Sequence, residues 1–250
     1  WIALAGTFER DGTVDETRPA AANGVVEIDL RSGSIKVVAW NKAEVNVTGH
    51  VEGAELEVKT SGDRTRVRIS DERHRGEADI EVRVPRGSRI EAKALSATVD
   101  VRDVTGALRL QSASGDITVS APSSDVEAQT ASGQVDLRVQ STVVNARSVS
   151  GDVRVIGARG RAAIHSVSGS CVLEGGDFTE VEMRATSGEL RFTGGISGQG
   201  TFELKTASGD IELRLPATTN ADFELRSSSG SLRTNRAGVP SQQTRSSLDF

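Results

Sequence analysis

The sequence predicts an all-β chain and, within that class, a parallel β-solenoid, a chain wound so that each turn stacks on the one before it. Three observations carry this prediction. A Ser-Gly corner returns at nearly constant spacing, apolar and polar residues alternate on both sides of it, and no window shows the i, i+3, i+4, i+7 apolar pattern of an amphipathic helix. β-Branched residues fill many of the periodic apolar positions, which also favours strands.

The repeat is clearest at residues 114–119, Ser-Gly-Asp-Ile-Thr-Val. Successive copies are 18 residues apart four times and then 19, 21 and 21 residues apart, and an earlier copy begins at Ser32. The copies begin at Ser96, Ser114, Ser132, Ser150, Ser168, Ser187, Ser208 and Ser229. We number each copy, or rung, from this Ser as position 0. A short period of this kind is typical of solenoids, in which each rung contacts only its neighbours.

Four positions in every rung are expected to face the core. Alternation with a period of two on each side of the corner predicts two half-buried strands per rung, and the change of parity across the corner predicts a turn there. Positions −6 and −4 hold Ile90/Ala92, Leu108/Leu110, Val126/Ala128, Val144/Ala146, Ala162/Ile164, Val181/Met183, Phe202/Leu204 and Phe223/Leu225. Positions +3 and +5 hold Val99/Val101, Ile117/Val119, Val135/Leu137, Val153/Val155, Cys171/Leu173, Leu190/Phe192, Ile211/Leu213 and Leu232/Thr234. Only Thr234 is polar.

The chain divides into three predicted regions. Residues 1–23 are expected to be a flexible lead-in, residues 24–86 a non-repeating β segment that caps the solenoid, and residues 87–250 about eight rungs wound in the right-handed sense. Strands are expected near 54–60, 64–70 and 78–84, with a hairpin turn at 60–63. The final residues, 246–250, resemble the start of a strand with no cap after it, so we expect a truncated C-terminus.

The corner residues have simple structural roles in this scheme. Gly at position +1 is expected because a positive φ angle costs other residues about 1–2 kcal/mol, and Ala97 is the exception. Position +2, often Asp, is expected to accept a hydrogen bond from a turn amide.

Composition excludes several classes of function. The net charge is −5 and neither end is a basic arm, which disfavours nucleic-acid binding. Aromatic residues make up 3% of the chain and Tyr is absent, so any binding surface is expected to be mostly polar. No apolar run approaches the length of a membrane span. Because Trp1 is not preceded by an initiator Met, we expect a signal peptide upstream and a location outside the cytoplasm, in the periplasm or at the cell surface.

With the rungs aligned, residues 24–235 resemble the bacterial DUF4097 family of candidate adhesins. The resemblance rests on residues 114–119, 150–155 and 208–213, which share the Ser-Gly-Asp-hydrophobic-x-hydrophobic pattern, and on residues 37–45, Val-Val-Ala-Trp-Asn-Lys-Ala-Glu-Val. It implies a β-solenoid beyond the cytoplasmic membrane and supplies no catalytic residue.

Candidate sites were weighed against structural roles. The Asp residues at position +2 suggest calcium, but Gln134, Ser170 and Ser231 interrupt that column, so turn capping is favoured. Asp100, Asp136 and Glu212 share a position with basic and neutral residues, which indicates a mixed solvated face.

The ladders of Glu182, Glu203, Glu224 and of Arg184, Lys205, Arg226 are interpreted as exposed ion pairs rather than a recognition strip. His50, His74 and His165 have no metal-binding spacing, Cys171 is expected to be a buried apolar residue, and Trp40 a core anchor. We therefore predict no catalytic, cofactor-binding or metal-binding residue, and no cofactor.

The function favoured by the sequence is a non-enzymatic β-solenoid of the cell envelope or surface that serves adhesion, scaffolding or binding. Its partner is expected to be an envelope, surface or protein ligand, with no nucleic acid and no membrane span in this segment. Two alternatives remain open: a carbohydrate-active β-helix enzyme, either a lyase or a hydrolase, and a scaffold that self-associates end to end through uncapped rungs.

Overall fold

The computed structural model describes residues 12–70, 76–216, 222–235 and 246–248. These residues form strands and no helix, and the predicted all-β parallel solenoid is confirmed. The chain divides into two compact units, Trp1–Ser124 and Asp125–Phe250. Unit 1 contains β1 (Gly12–Pro19), β2 (Val25–Trp40), β3 (Glu44–Glu52), β4 (Glu55–Ser61), β5 (Arg64–Ser70), β6 (Glu77–Pro85), β7 (Arg89–Arg102), β8 (Leu108–Ser114) and β9 (Ile117–Ala121). Unit 2 contains β10 (Asp125–Ser132), β11 (Val135–Val139), β12 (Val143–Ser150), β13 (Val153–Ile156), β14 (Gly160–Ser168), β15 (Cys171–Ser187), β16 (Leu190–Ser208), β17 (Ile211–Arg214), β18 (Asp222–Ser229), β19 (Leu232–Thr234) and β20 (Ser246–Leu248).

Strand β2 is itself a rung of the solenoid. It pairs in parallel with β7, and the register places Ser32 beside Ser96. The expectation that residues 24–86 lack the repeat is therefore wrong for β2. The segment inserted between Ser32 and Ser96 hides the rhythm in the sequence, although the two strands stack like any other pair of rungs.

The strands inserted after β2 lie along its other edge. β5 runs parallel to residues 25–29 of β2, and β6 runs parallel to residues 33–40. β4 and β5 form the predicted hairpin, and β3 pairs antiparallel with β6. The free edge of β2 is thus covered by backbone hydrogen bonds, which is how native sheets avoid edge-to-edge association.

Residues 12–19 form β1, which pairs antiparallel with β3. The prediction of a flexible lead-in over residues 1–23 is wrong for this stretch, while residues 1–11 lie outside the described part. Polar residues suit this strand because the Asn46 amide nitrogen of β3, which is buried, donates to Asp15 (2.8 Å) and Thr17 (2.9 Å). Side-chain hydrogen bonds here take the place of the apolar alternation on which the prediction relied.

Unit 2 is a regular stack of rungs. The strands before the corner pair in parallel in the order β10, β12, β14, β15, β16, β18, and their corner Ser residues lie side by side. The strands after the corner pair in the order β11, β13, β15, β16, β17, β19. β20 pairs antiparallel with β18, so this predicted strand lies along the edge of a rung instead of beginning another one.

The core consists of the positions that the sequence alternation selected. Residues at −6, −4, +3 and +5 are buried throughout, apart from the half-buried Thr234 and from Phe223, whose side chain is outside the described part. Phe178, which lies outside these four positions, joins the core beside Phe192 and Phe202, with ring centroids 5.7 Å apart in edge-to-face geometry. Such stacking of like residues builds a continuous narrow core.

A column of buried hydroxyls at position −2 lines the inside of the corner. This position has the same inward parity as −6 and −4, but no role was predicted for it. Each hydroxyl with a described partner donates to the carbonyl at position +1 of the preceding rung. The donors are Ser112 to Ala97 (3.2 Å), Ser148 to Gly133 (3.0 Å), Ser166 to Gly151 (3.1 Å), Thr206 to Gly188 (3.4 Å) and Ser227 to Gly209 (2.9 Å). Ala185 interrupts the column.

The glycines at position +1 are required chiefly by the closeness of the rung beneath. A Cβ atom at Gly188 would lie 2.2 Å from the carbonyl oxygen of Gly169, and φ at Gly188 is +149°. Gly115 does not have a positive φ, yet its Cβ would lie 2.2 Å from the carbonyl oxygen of Ala97. The predicted reason, a positive φ, is therefore incomplete, because steric exclusion applies at Gly115 without it.

Candidate functional site

The outward residues before each corner form three columns in unit 2, because its rungs stack in register. We call this surface the pre-corner face. Position −5 holds Glu127, Asn145, Ala163, Glu182, Glu203 and Glu224. Position −3 holds Gln129, Arg147, His165, Arg184, Lys205 and Arg226. Position −1 holds Ala131, Val149, Val167, Thr186, Ala207 and Ser228.

The acidic and basic columns form a zigzag of ion pairs, as the sequence predicted. Arg184 contacts Glu182 and Glu203, each at 2.8 Å, and Lys205 contacts Glu203 at 2.9 Å and Glu224 at 3.3 Å. The hydrogen bond from Lys205, and secondly that from Arg184, lowers the pKa of the Glu203 carboxyl. Exposed pairs of this kind each contribute about 0–1 kcal/mol to stability. The main effect of the lattice is therefore to offset the repulsion between like charges stacked in one column.

A groove of about 670 Å³ lies along the pre-corner face between the −3 and −1 columns. It extends from Gln129 to Arg226 across six rungs, which at about 4.8 Å per rung is a length of about 24 Å. Val149 and Val167 are 50% and 46% exposed on its −1 side. This groove was not predicted from the sequence. Its only sequence signal is an apolar residue at an outward position in two adjacent rungs.

His165 is the histidine that lines the groove. Its ring nitrogen Nε2 lies 3.2 Å from the Glu182 carboxylate of the next rung, and the side chain is partly buried between Arg147 and Arg184. Burial lowers the pKa of His165, and the attraction of Glu182 partly opposes that shift. The lowered pKa favours the neutral imidazole, and because Nε2 donates to the Glu182 carboxylate, Nδ1 is left to accept a hydrogen bond.

On the outward face after the corner, the three acidic residues considered in the sequence, Asp100, Asp136 and Glu212, are each paired with an arginine. The predicted mixed face is seen in its contacts: Asp100 pairs with Arg102 at 2.7 Å, and Asp136 with Arg138 at 3.3 Å. Glu212 pairs with Arg191 at 2.8 Å, and Arg214 lowers the pKa of the Glu212 carboxyl. A general acid needs the opposite shift, so Glu212 is unsuited to that role.

Two of the Asp residues at position +2, Asp152 and Asp210, cap the rung above. Asp152 accepts a hydrogen bond from the backbone amide of Ser170, and Asp210 from that of Ser231, both at 2.8 Å. This bond lowers the pKa of Asp210. Among the described residues, no cluster of three or more His, Cys, Asp or Glu side chains has the arrangement to hold a metal ion.

A family model matches the part of the chain that contains the in-register Ser-Gly corners of unit 2. The model of the family described as Toastrack DUF4097 matches residues 75–248. The chain belongs to the Toastrack DUF4097 family. The matched range contains the rungs of unit 2 and the whole pre-corner face, while β1 to β5 lie outside it.

A solved structure shares the fold of this Toastrack chain. A candidate adhesin from Parabacteroides distasonis superposes with a TM-score of 0.56 at 10% identity, over 89% of this chain and 97% of that one. A candidate adhesin from Bacteroides fragilis has a TM-score of 0.45 at 14% identity, also over 89% and 97%. At this identity the likeness concerns the fold alone. A search of curated proteins finds no match.

Other residues singled out in this Toastrack sequence have structural roles. Cys171 is buried, and burial raises the pKa of its thiol to about 12, so it is a core residue as predicted. Trp40 is half-buried, its indole nitrogen donates to the carbonyl of Glu44 at 2.7 Å, and the Lys42 ammonium lies 4.8 Å from the ring centroid. It therefore stabilises a surface turn, and the predicted core role is wrong.

The remaining histidines are not among the residues that define the pre-corner face. His50 is exposed on β3, and His74 is outside the described residues. Within the part of the chain that the structure describes, no helix is long and apolar enough to cross a membrane.

Proposed function

We propose that this chain is a non-enzymatic protein of the cell envelope or surface that binds an extended ligand across the rungs of unit 2. The observation that carries the proposal is the groove on the pre-corner face, which crosses six rungs at right angles to the strands. Each rung contributes the same positions to it, so the groove repeats at a constant spacing. A surface of this kind suits a long or repeating ligand better than a compact one.

The groove is chemically suited to binding rather than to catalysis. Three Glu residues beside it, Glu182, Glu203 and Glu224, are held in ion pairs with Arg184, Lys205 and Arg226. Glycoside hydrolysis needs two carboxyl groups at a fixed separation, one of them kept protonated. The lowered pKa of Glu203 is the reverse of that requirement. The structural neighbours are named as candidate adhesins, which supports a binding role rather than a catalytic one.

End-to-end polymerisation is the less favoured alternative, because strands cover parts of the rung edges. β5 and β6 lie along the edge of β2, and β20 lies along β18. Each added strand takes up backbone donors and acceptors that another copy would need. Sedimentation of the purified chain distinguishes the two cases, since a binder stays monomeric and a polymer forms filaments.

The proposal is tested by pull-down of isolated cell-envelope material with the purified chain and two matched variants. Thr186→Arg places a bulky cation in the groove, whereas Thr142→Arg makes the same change at an exposed position outside it. We expect Thr186→Arg to reduce capture at least fivefold and Thr142→Arg to retain it. Equal capture by both variants would place binding elsewhere, and cleavage of an envelope polysaccharide would support the enzyme alternative instead.

A further inference from the structure

Two adjacent rungs of the pre-corner face lack the carboxylates present in the others. Position −5 is Asn145 in β12 and Ala163 in β14, whereas the next three rungs have Glu at this position. The strands pair so that Asn145, Ala163 and Glu182 are consecutive neighbours in one column. The acidic column is therefore interrupted at two rungs, and the basic column beside it continues.

Arg147 is the residue most affected by this interruption. It is exposed and forms no ion pair with any carboxylate that the structure describes, although Arg184, Lys205 and Arg226 all do. Its neighbour in the next rung is His165, which meets Glu182 on its far side. An unpaired guanidinium offers up to five donors in a planar fork that fits a carboxylate.

The two exposed valines of the groove lie in the same two rungs. Val149 follows Arg147 by two residues on β12, and Val167 follows His165 by two residues on β14. We call Asn145, Arg147, Val149, Ala163, His165 and Val167 the open sector. It combines one free positive charge, a neutral imidazole and an apolar surface, which matches a ligand with an anionic group beside C–H surface.

Two features of the groove narrow the class of ligand. The strands beneath it are hydrogen-bonded to each other along their length, so a bound peptide would find no main-chain partners, which usually supply much of the affinity for extended peptides. None of the residues that line the groove is Phe, Trp or Tyr, so a neutral sugar chain would lack a large stacking platform. A charged sugar chain depends on neither main-chain hydrogen bonds nor an aromatic stacking platform.

We propose that the open sector binds a carboxylate of an acidic polysaccharide that lies along the groove. Arg147 receives the carboxylate in a two-point contact, Val149 and Val167 contact the C–H face of the sugar ring, and His165 hydrogen-bonds a hydroxyl. This inference rests on the proposed binding function and names the chemistry of its ligand.

The test measures binding of an oligogalacturonate of about six residues by calorimetry at low and moderate salt. We expect wild-type binding that weakens with salt, and no binding of the neutral maltohexaose. Arg147→Gln is expected to weaken binding at least tenfold, and Arg161→Gln, an exposed arginine outside the groove, to leave it unchanged. Ala163→Glu restores the missing carboxylate while keeping Arg147, and is also expected to weaken binding at least tenfold.

The outcomes separate the inference from the function on which it rests. If the chain captures envelope material but not oligogalacturonate, the inference is wrong and the binding function stands. Capture of neither contradicts both. Equal losses in Arg147→Gln and Arg161→Gln would show nonspecific charge attraction, and tighter binding of poly-glutamate than of oligogalacturonate would make the ligand an acidic peptide, each of which overturns the inference.

Discussion

Replacing Gly115 with Ala tests whether the corner glycines are required by steric exclusion or by backbone conformation. The added Cβ would lie 2.2 Å from the Ala97 carbonyl oxygen, where real Cβ contacts are essentially never under 3.0 Å. The rungs must therefore separate locally by about 0.8 Å, the difference between those distances. Overpacking of this kind costs about 1–3 kcal/mol. The same carbonyl accepts a hydrogen bond from Ser112, whose loss adds about 1 kcal/mol.

The expected destabilisation of Gly115→Ala is thus about 2–4 kcal/mol. Gly62, at the β4–β5 turn, is the matched control because its φ is +63° and no atom lies within 4 Å of an added Cβ. Gly62→Ala should cost only about 1–2 kcal/mol, from the conformation alone. Urea unfolding followed by circular dichroism measures both, provided that the transitions are cooperative.

Substitution by Asn separates the two causes further, because Asn tolerates left-handed backbone better than Ala does. Gly62→Asn should recover part of the stability lost in Gly62→Ala. Gly115→Asn should recover none, since its Cβ meets the same carbonyl. Recovery by Asn at Gly115, or a loss below about 0.5 kcal/mol in Gly115→Ala, would refute the steric argument.

The remaining predictions concern the hydroxyl column, the caps and the groove histidine. Ser166→Ala should cost about 1 kcal/mol by removing the bond to Gly151, whereas Ala185→Ser fills the gap in that column and should leave stability unchanged or raise it by up to about 1 kcal/mol in urea unfolding. The pKa of Asp210 is lower in the folded state than its ordinary value of 3.8, so its stabilising contribution is fully present above about pH 3.8. That contribution is lost as pH falls through the folded-state pKa. Asp210→Asn should therefore show a shallower decrease of the unfolding free energy in acid. The lowered pKa of His165 acts with the same sign in a higher pH range: the unfolded state takes up the proton first, so stability falls as pH drops below about 6.5 until the folded pKa is reached, and His165→Gln should lose that part of the pH dependence. An unchanged slope in either variant would contradict the assigned cause.

Strict alternation made the core predictable from the sequence, whereas the long insertion after Ser32 obscured the first rung. The positions at −6, −4, +3 and +5 could be assigned because each rung repeats one apolar pattern, and burial follows parity in a strand. The copy at Ser32 was recognised in the sequence but not placed in the stack, because a long insertion separates it from Ser96 and no constant period connects them. β1 was missed because its partner is a buried Asn rather than an apolar face.

The groove could not be predicted for a different reason. Alternation shows which side chains point outward, but the depth of a groove depends on the lengths of side chains in adjacent columns. Long residues at position −3 beside short ones at −1 create the depression, and neither column is unusual when examined alone. The interruption at Asn145 and Ala163 was visible in the sequence, yet it has a meaning only once the neighbours of Arg147 are known.

In a stacked repeat, the residues that recur in nearly every rung are those that specify stacking. Glycine at +1, a hydroxyl at −2 and the inward apolar residues all contact the rung above or below, so each departure from them weakens the fold. Outward residues such as Arg184 and Lys205 contact outward side chains of the adjacent column and are constrained less. A function that depends on one place in the stack must therefore lie where outward columns depart from their own pattern. The open sector is such a place, since two carboxylates are absent and two valines are exposed in the same pair of rungs.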